Sequence, residues 1–231
     1  MEKEFLSVIM PVYNEKDTIV NIISQVLNLE ILKELIVVDD GSTDGTRDLL
    51  KDIASKVKVK LFFHDKNQGK GGCIRTGLSK AQGEVICFQD ADLEYDPLEL
   101  NELVGPIKKG VADVVYGSRL WGGKPQRVHM FLHLVGNRFL TLVTNILFNT
   151  TLTDMETCYK VFTKNAIEGI TIRSNDFTME PELTAKFLKK KLRIYEMPIS
   201  YYGRTYEEGK KITWRHGVTA LIALVRYRFS D

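Results

Sequence analysis

Acidic residues occupy every second position just after an apolar stretch of this 231-residue chain, at Asp90, Asp92, Glu94 and Asp96. Side chains two positions apart lie on one face of an extended segment, so the carboxylates of Asp90 and Asp92 are expected to converge. Carboxylate oxygens suit Mg²⁺ or Mn²⁺, and magnesium sites commonly combine one or two carboxylates with substrate phosphates. The spacing predicts a cation at Asp90, Asp92 and Glu94 that holds a nucleotide diphosphate; the alternative is a solvated acidic turn that caps a helix beginning at Pro97.

The acidic run follows one of five apolar stretches that alternate with helical patterns. We expect strands at residues 5–10, 34–38, 57–63, 84–88 and 113–119, and helices at 17–29 and 70–81. This alternation predicts an α/β fold with a doubly wound, mostly parallel sheet flanked by helices. Ligands bind beyond the carboxyl ends of the strands in such sheets. The motifs PVYNE, DDGS, NQGKGG and DAD all follow predicted strands, which indicates an active site at that edge.

Bulk properties narrow the class of protein. The composition, 44% hydrophobic and 27% charged, is that of a globular protein, and a net charge of +2 does not indicate a nucleic-acid partner. Cys73, Cys87 and Cys158 are widely spaced, which favours free thiols in a reducing compartment. We expect no segment to approach the roughly 18 apolar residues of a membrane span, and therefore a soluble or peripheral, cytoplasmic protein.

Lys70 lies in the glycine-rich segment NQGKGG, residues 67–72. The segment lacks P-loop spacing, and no G-x-G-x-x-G follows a strand, so neither of these phosphate-binding motifs is predicted. Lys70 then either offsets the charge of a diphosphate or belongs to a glycine-rich turn into a helix. His129 and His133 lack the Glu that a zinc-protease pattern requires, and His133 is a weaker candidate for anion binding.

The second half of the chain is locally basic and apolar. Residues 128–148 form a long apolar segment, and the C-terminal tail is an apolar helical pattern with Arg at both ends. The guanidinium group matches phosphate with a bidentate fork, so this half suits an amphiphile with an anionic head and helices that lie on a membrane. The basic residues are Arg119, Arg127, Arg138, Arg204, Lys210, Lys211 and Arg215.

Seven segments in order resemble the family 2 glycosyltransferases of GT-A fold, and within them the branch of dolichol-phosphate mannosyltransferase and its polyprenyl-phosphate relatives. The segments are PVYNE, VVDDGSTDGT, NQGKGGCIRTGL, DADLE, YGSRL, TDMETCYKVF and GRTYEEGKKI. They span nearly the whole chain. The resemblance implies a single domain over residues 1–231, with a nucleotide-sugar half at 1–118 and an acceptor half at 119–231 that carries membrane-facing amphipathic helices.

The resemblance also assigns roles to residues. Nucleotide contacts are implied for Pro11, Tyr13, Glu15, Asp40, Lys70 and Asp90, and Mg²⁺ or Mn²⁺ ligation for Asp90, Asp92 and Glu94. Arg119 and Arg204 are implied to bind the acceptor phosphate. His133 and Asn137 stand where the family often carries Arg or Ser, and Lys210 and Lys211 stand where it commonly has Ser before Lys; all four are candidates for the same phosphate.

The implied reaction transfers a hexose, with inversion, from GDP-mannose or UDP-glucose to a polyprenyl or dolichyl monophosphate. A phosphate monoester is substantially ionised at neutral pH, so this nucleophile needs no strong base. The catalytic candidates are Asp90, Asp92 and Asp154; Asp154 orients the sugar, acts as a base toward a hydroxyl acceptor, or caps a helix. Two other functions stay open: extension of a glycan at a sugar hydroxyl, and a non-catalytic nucleotide or lipid binder. A membrane surface on the cytoplasmic side is the expected location, with a membrane protein or a second copy as a possible partner.

Overall fold

The structure, a computed structural model, describes residues 4–57, 59–128, 130–210 and 213–230. Its centre is a seven-stranded sheet in the order β3-β2-β1-β4-β6-β5-β7. The strands are β1 Leu6–Val12, β2 Leu32–Asp39, β3 Lys60–Phe63, β4 Val85–Phe88, β5 Val114–Ser118, β6 Lys160–Thr163 and β7 Ile194–Pro198. The α-helices are α1 Ile19–Leu27, α2 Thr46–Lys56, α3 Lys70–Leu78, α4 Leu100–Leu103, α5 Gly105–Lys108, α6 Phe131–Phe148, α7 Lys164–Ile167, α8 Met179–Lys189 and α9 Trp214–Phe229.

The sheet is mostly parallel, as the alternating pattern predicts. β1 pairs with β2 and β4, β2 with β3, and β5 with β7, all in parallel. β6 lies between β4 and β5 and runs antiparallel to both. The parallel strands β1, β2 and β4 therefore end side by side, and the loops after them share one edge.

Each predicted strand is present, although the third is shorter than expected, at Lys60–Phe63. The first helix also forms, and it buries the apolar stripe Ile19, Ile22, Ile23 and Val26 against the sheet. The sequence did not indicate β6 or β7. The four residues of β6 begin with Lys160, whose side chain is fully buried, so a hydrophobic pattern does not mark this strand.

One sheet runs across the boundary predicted at residues 118 and 119. β6 and β7 come from the second half, yet β6 hydrogen-bonds to β4 of the first half. Residues from both halves form one hydrophobic cluster that includes Phe88 and Phe162, whose rings meet edge to face at 5.3 Å.

Helices α6 and α9 pack against each other and leave apolar faces uncovered. Leu140 and Leu224 are buried in a small cluster between them. On the outer side, Leu132 of α6 is 80% exposed and Phe229 of α9 is 78% exposed. Uncovered apolar area of this kind marks a surface that contacts something apolar.

Helix α6 corrects one expectation. Its 18 residues have a mean hydropathy of 1.3, and 17% of them are buried, so by length and composition the helix is apolar enough to cross a membrane. The expectation that no segment approaches this length is wrong, because Arg138 is the single charged side chain in the helix. Length and composition do not distinguish a spanning helix from one that lies on a surface.

Candidate active site

Motifs from three strand ends meet at one edge of the sheet, as predicted. Glu15 follows β1, Asp92 follows β4, and both carboxylates contact the guanidinium of Arg204. The distances are 3.5 Å from Arg204 Nη1 to Glu15 Oε2 and 2.9 Å from Arg204 Nη2 to Asp92 Oδ2. The loops after β1 and β2 are also joined, because the amide of Thr43 donates to Asn14 Oδ1 at 2.9 Å.

The acidic run itself is a turn rather than an extended segment. Residues 91–95 form turns and bends after β4, and Leu93 has a positive φ of 62°. The expected i, i+2 geometry is therefore wrong beyond the strand end. The turn gives the carboxylates different partners: Asp90 accepts from Lys70, whereas Asp96 caps the short helical turn at Pro97–Glu99 by accepting from the amide of Leu98.

Glu94 holds a neighbouring loop in place. Its Oε2 accepts from the hydroxyl of Tyr201 at 2.9 Å, and its Oε1 accepts from the amide of Arg204 at 2.8 Å. The same loop is tied by the amide of Tyr202, which donates to the Glu94 carbonyl. Glu94 therefore docks residues 201–204 onto the acidic turn and carries Arg204 to Asp92.

The charges at this turn fit a divalent cation. Burial and the neighbouring charges of Asp90 and Glu94 together raise the pKa of Asp92 to about 7, and Arg204 offsets only part of this rise. Burial raises the pKa of Asp90, but the charge and hydrogen bond of Lys70, a hydrogen bond from Cys158 and the charge of Arg204 together outweigh burial, so the pKa of Asp90 is lowered. Hard oxygen donors that are crowded by like charge are the set that Mg²⁺ or Mn²⁺ stabilises.

Lys70 is buried between two carboxylates. Its Nζ lies 2.9 Å from Asp90 Oδ1 and 3.2 Å from Glu180 Oε1. Burial lowers the pKa of Lys70, but the carboxylates outweigh it, so the pKa lies well above its usual range and the side chain is charged. The lysine therefore neutralises Asp90 in the structure, beside the predicted cation.

The glycines around Lys70 serve close packing. A Cβ at Gly69 would lie 2.2 Å from the carbonyl oxygen of Asn175, and one at Gly71 would lie 2.0 Å from that of Ser174. The amide of Gly71 at the start of α3 donates to Asn175 at 2.7 Å. This favours the interpretation of NQGKGG as a glycine-rich turn into a helix over a phosphate cradle.

Asp40 is 2% exposed and holds the loop that precedes α3. Its Oδ2 accepts from the amide of Gly69 at 2.8 Å, and its Oδ1 accepts from the amide of Gln68 and contacts His64 Nδ1 at 2.7 Å. His64 Nε2 contacts Thr76 Oγ1, so both ring nitrogens have partners. Although Asp40, His64 and buried Cys73 are close enough to share a metal, these contacts explain the group as a structural one.

The predicted nucleotide residues on β1 lie at the open end of the sheet. Pro11 belongs to the strand, and Tyr13 just beyond it is 40% exposed. Glu15 lies nearer the acidic turn, where its carboxylate approaches Arg204. Of these three residues, Glu15 is the one whose printed contacts tie the end of β1 to the acidic turn, through Arg204.

Asp154 and Arg119 form a buried bidentate ion pair. Arg119 Nε lies 2.6 Å from Asp154 Oδ2, and Arg119 Nη2 lies 2.7 Å from Asp154 Oδ1. Asp154 is fully buried and precedes no helix, so the helix-cap alternative is wrong. Both carboxylate oxygens bind Arg119, which favours a positioning role for Asp154 over that of a base.

Two cationic side chains contact Tyr201, and a third, that of Arg204, acts electrostatically on one of them. The Arg119 guanidinium lies 5.2 Å from the centre of the Tyr201 ring, and Lys210 Nζ lies 3.3 Å from its hydroxyl. Burial, together with the charges of Arg119 and Arg204, lowers the pKa of Lys210 despite opposing carboxylates. Cations that destabilise one another in this way favour a bound anion.

Two of the remaining acceptor candidates, His133 and Asn137, lie on helix α6. His133 Nε2 contacts the Tyr206 hydroxyl at 2.7 Å, and Asn137 is half-buried one turn further along α6. Lys211 and His129 lie outside the described residues. The sequence analysis did not identify Tyr201 or Glu180 as site residues. The available signal for Tyr201 was the aromatic pair Tyr201–Tyr202 just before the GRTYEEGKK segment. Nothing in the sequence marked Glu180.

The comparisons with known proteins agree with this fold. Residues 7–171 match the family model described as Glycosyl transferase family 2, and the chain belongs to this family. It is 28% identical to glycosyltransferase AglJ of Haloferax volcanii over 85% of its own length and 63% of that protein.

Two further relatives carry more detailed names. The chain is 28% identical to the UDP-N-acetylglucosamine–dolichyl-phosphate N-acetylglucosaminyltransferase of Methanococcus voltae, covering 86% of each chain. It is 29% identical to the dolichol-phosphate mannosyltransferase of Pyrococcus furiosus over 89% of its own length and 58% of that protein. The chain thus spans about six tenths of the length of AglJ and of the mannosyltransferase.

A solved structure shows the same GT-A-like fold. Glucosyl-3-phosphoglycerate synthase from Mycobacterium tuberculosis, in complex with Mn²⁺, uridine diphosphate and phosphoglyceric acid, superimposes with a TM-score of 0.76 at 19% identity. The match covers 99% of this chain and 80% of that one. Together with the family, it confirms the predicted architecture.

Proposed function

We propose that this glycosyltransferase moves a hexose from a nucleotide sugar to a polyprenyl-type lipid monophosphate. The observation that carries the proposal is the contact between an acidic turn and a cluster of cations. Arg204 links the two, since its guanidinium binds Asp92 and its charge, like that of Arg119, acts on Lys210 beside Tyr201. The reaction requires two neighbouring sites: one where a cation holds the diphosphate of the donor, and one where basic side chains hold the phosphate of the acceptor. The acidic turn suits the first, and the cations near Tyr201 suit the second.

The names of the relatives support the choice of substrates. The Methanococcus and Pyrococcus relatives are named for transfer to dolichyl phosphate, and the mycobacterial synthase was crystallised with Mn²⁺ and uridine diphosphate. The donor is then a nucleotide hexose such as GDP-mannose, UDP-glucose or UDP-N-acetylglucosamine. The nucleoside of this donor is bordered by Pro11, Tyr13 and Glu15. Asp40 contributes indirectly to nucleotide binding, because it holds the loop that precedes α3.

Asp90 and Asp92 are proposed to hold Mg²⁺ or Mn²⁺, with Glu94 as a further candidate that also docks the 201–204 loop. A cation there supplies Lewis-acid stabilisation of the departing nucleoside diphosphate. Lys70 adds positive charge on the other side of Asp90.

The acceptor phosphate is proposed to bind at Arg119, Arg204 and Lys210, with His133, Asn137 and Lys211 as outer candidates. One of its oxygens attacks the anomeric carbon as the bond to the diphosphate oxygen breaks, with inversion. The second pKa of a phosphate monoester is about 6, so the nucleophile is already ionised and no proton has to be removed. Asp154 contributes by fixing the guanidinium of Arg119.

The uncovered faces of α6 and α9 are proposed to rest on the membrane that contains the lipid acceptor, at its cytoplasmic face. Neither helix contains an acidic residue, and each carries arginine, at Arg138 in α6 and at Arg215, Arg226 and Arg228 in α9. Apolar and cationic side chains on one surface suit an anionic lipid bilayer.

The testing experiment offers the purified chain a panel of nucleotide sugars with a short polyprenyl phosphate and Mn²⁺. Transfer to the lipid phosphate that stops with EDTA is the expected result. Two other acceptors serve as comparisons, a simple sugar and 3-phosphoglycerate. Transfer to the sugar hydroxyl alone contradicts the proposal, and transfer to phosphoglycerate alone shows that the phosphate is recognised without the lipid.

A further inference from the structure

Glu156 carries a buried carboxylate oxygen that the proposed mechanism does not use. Its Oε1 has no hydrogen-bond partner among the described residues and is shielded from solvent. Buried polar atoms in folded proteins are almost always hydrogen-bonded, and an exception calls for an explanation such as an absent ligand. Glu156 lies in the TDMETCYK segment, two residues after Asp154.

The backbone on both sides of Glu156 is held firmly. The ammonium of buried Lys160 donates to the carbonyl oxygens of Met155 and Thr157. The hydroxyl of Thr157 donates to the Gly117 carbonyl at 2.6 Å. The unpaired oxygen therefore belongs to a residue on a fixed loop, and a simple shift of that loop would break these bonds.

The carboxylate of Glu156 lies within electrostatic range of both charged parts of the candidate site. Arg119 and Asp154, on the acceptor side, both act electrostatically on its carboxylate, and so does Glu180. Glu180 in turn contacts Lys70, which contacts Asp90. Under the proposed function, the transferred sugar must sit between the diphosphate at Asp90 and the acceptor phosphate at Arg119.

We propose that Glu156 accepts a hydrogen bond from a hydroxyl group of the sugar that is being transferred, and so contributes to donor selection. The inference rests on the proposed function and names a residue for its sugar subsite. A hydroxyl is a neutral donor, and a carboxylate oxygen is an acceptor without a competing donor when ionised. A site built to bind one hydroxyl discriminates strongly against a sugar that lacks it, because the buried oxygen is then left unpaired.

The electrostatics are consistent with this role. Burial raises the pKa of Glu156 to about 7, and the charges of Glu180 and Asp154 act in the same direction, while Lys160 and Arg119 oppose them. A hydroxyl that donates to the carboxylate favours its ionised form. Donor binding and ionisation of Glu156 should therefore support each other.

The test compares the binding of an intact nucleotide sugar with that of its nucleoside diphosphate alone, by calorimetry in the presence of Mn²⁺. For Glu156→Ala we expect affinity for the nucleotide sugar to fall by about tenfold or more, with affinity for the nucleoside diphosphate unchanged within about twofold. Glu156→Gln, which keeps an acceptor oxygen, should recover part of the loss. Glu168→Gln, an exposed glutamate in the following segment, is the matched control.

Deoxy donors identify the hydroxyl. Wild-type protein should lose affinity when one particular hydroxyl is removed from the sugar, and Glu156→Ala should no longer distinguish that analogue from the parent donor. An equal loss for sugar donor and nucleoside diphosphate overturns the inference, as does no change in either. A collapse of kcat at unchanged donor affinity also overturns it, because Glu156 would then act as a base.

The two proposals fail in distinguishable ways. If wild-type protein binds nucleotide sugars but transfers them to no lipid phosphate, the proposed acceptor is wrong and the binding comparison still decides the role of Glu156. If Glu156→Ala does not fold, Glu156→Gln with the deoxy donors decides the inference: it should distinguish the parent donor from the deoxy analogue less strongly than the wild type does, and undiminished discrimination overturns the inference.

Discussion

The guanidinium of Arg204 lies 2.9 Å from the carboxylate of Asp92, although 112 positions separate the two residues in the chain. Arg204 also approaches Glu15 and Glu94, both at 3.5 Å. Its Nε is buried without a hydrogen-bond partner in the described part of the chain. Arg204 thus neutralises part of the charge of three carboxylates at the edge of the sheet where a cation is proposed to bind.

This relationship predicts opposite effects of Arg204→Ala on binding and on turnover. Removing the guanidinium takes a positive charge away from the proposed cation site, so Mn²⁺ affinity in the absence of substrates should rise. Turnover should fall by about 10²- to 10³-fold, because a group that stabilises phosphate charge is lost. Calorimetric Mn²⁺ titration and steady-state transfer assays measure the two effects.

Arg193→Ala is the matched control for that experiment. Arg193 also pairs with an aspartate, Asp113, but the Arg193 side chain is 56% exposed. Both residues precede their strands, β5 and β7, and so lie at the other edge of the sheet. Arg193→Ala should change neither Mn²⁺ affinity nor turnover. Weaker Mn²⁺ binding by Arg204→Ala would show that Arg204 supports the cation site and does not compete with it.

The acidic run contains its own control for the cation proposal. Asp90→Asn and Asp92→Asn should each lower turnover by about 10²-fold or more, the loss typical of a removed electrostatic group in a transition state. Asp96→Asn should leave turnover unchanged, since the Asp96 side chain caps the Pro97 turn, which asparagine also does. Transfer rates with and without EDTA complete the measurement, and full activity in EDTA would refute metal dependence.

The Arg119–Asp154 pair should matter for stability as well as for activity. Asp154→Ala leaves a buried guanidinium without its partner, and breaking a buried pair in this way costs about 3–5 kcal/mol. Urea unfolding is the measurement. The exposed pair Arg127–Glu208 offers a comparison, since Glu208→Ala should change the unfolding midpoint little.

A double variant separates positioning from catalysis at this pair. Arg119→Met combined with Asp154→Leu should recover stability relative to Asp154→Ala, yet stay inactive because the phosphate-binding arginine is absent. If Asp154→Asn keeps normal stability and loses kcat alone, the positioning role is wrong and Asp154 is a base.

Glu156 predicts a pH-dependent stability difference. Its pKa in the folded protein, about 7, is raised above the ordinary value of 4.5. The stability contributed by the protonated side chain is therefore full below about pH 4.5 and is lost as the pH rises to about 7. Glu156→Gln removes this loss. The thermal unfolding temperature of Glu156→Gln minus that of the wild type should therefore increase between pH 5 and pH 8, whereas the same difference for Glu168→Gln should stay constant.

The uncovered face of α6 predicts binding to anionic lipid vesicles. Replacing Phe131, Leu132 and Ile146 with serine removes three side chains that are each more than 70% exposed, so vesicle binding should weaken by at least about tenfold while the fold is kept. Val20→Ser, on exposed apolar surface of α1, is the control. Co-sedimentation with vesicles reports binding, and circular dichroism reports folding. Unchanged vesicle binding by the triple variant would contradict a membrane contact through α6.

The sequence by itself determined the parallel half of the sheet and the edge where the candidate site lies. Apolar runs and helical periodicity are local properties of the chain, and in a parallel sheet strands bring their carboxyl ends to one edge, so the loops after β1, β2 and β4 meet. The acidic run could be found in the same way. Its spacing suggested an extended segment, but the positive φ of Leu93 turns the chain and gives Asp90 and Asp92 different partners.

Only the tertiary structure decided which charges face one another. Asp154 binds Arg119, and Lys160 of β6 is buried against Glu180 of α8. Glu156 keeps one carboxylate oxygen without a hydrogen-bond partner in the described part of the chain. Ion pairing depends on distance in space and on burial, and both are set by the order of strands in the sheet. A sequence pattern records neither quantity for residues that are far apart in the chain.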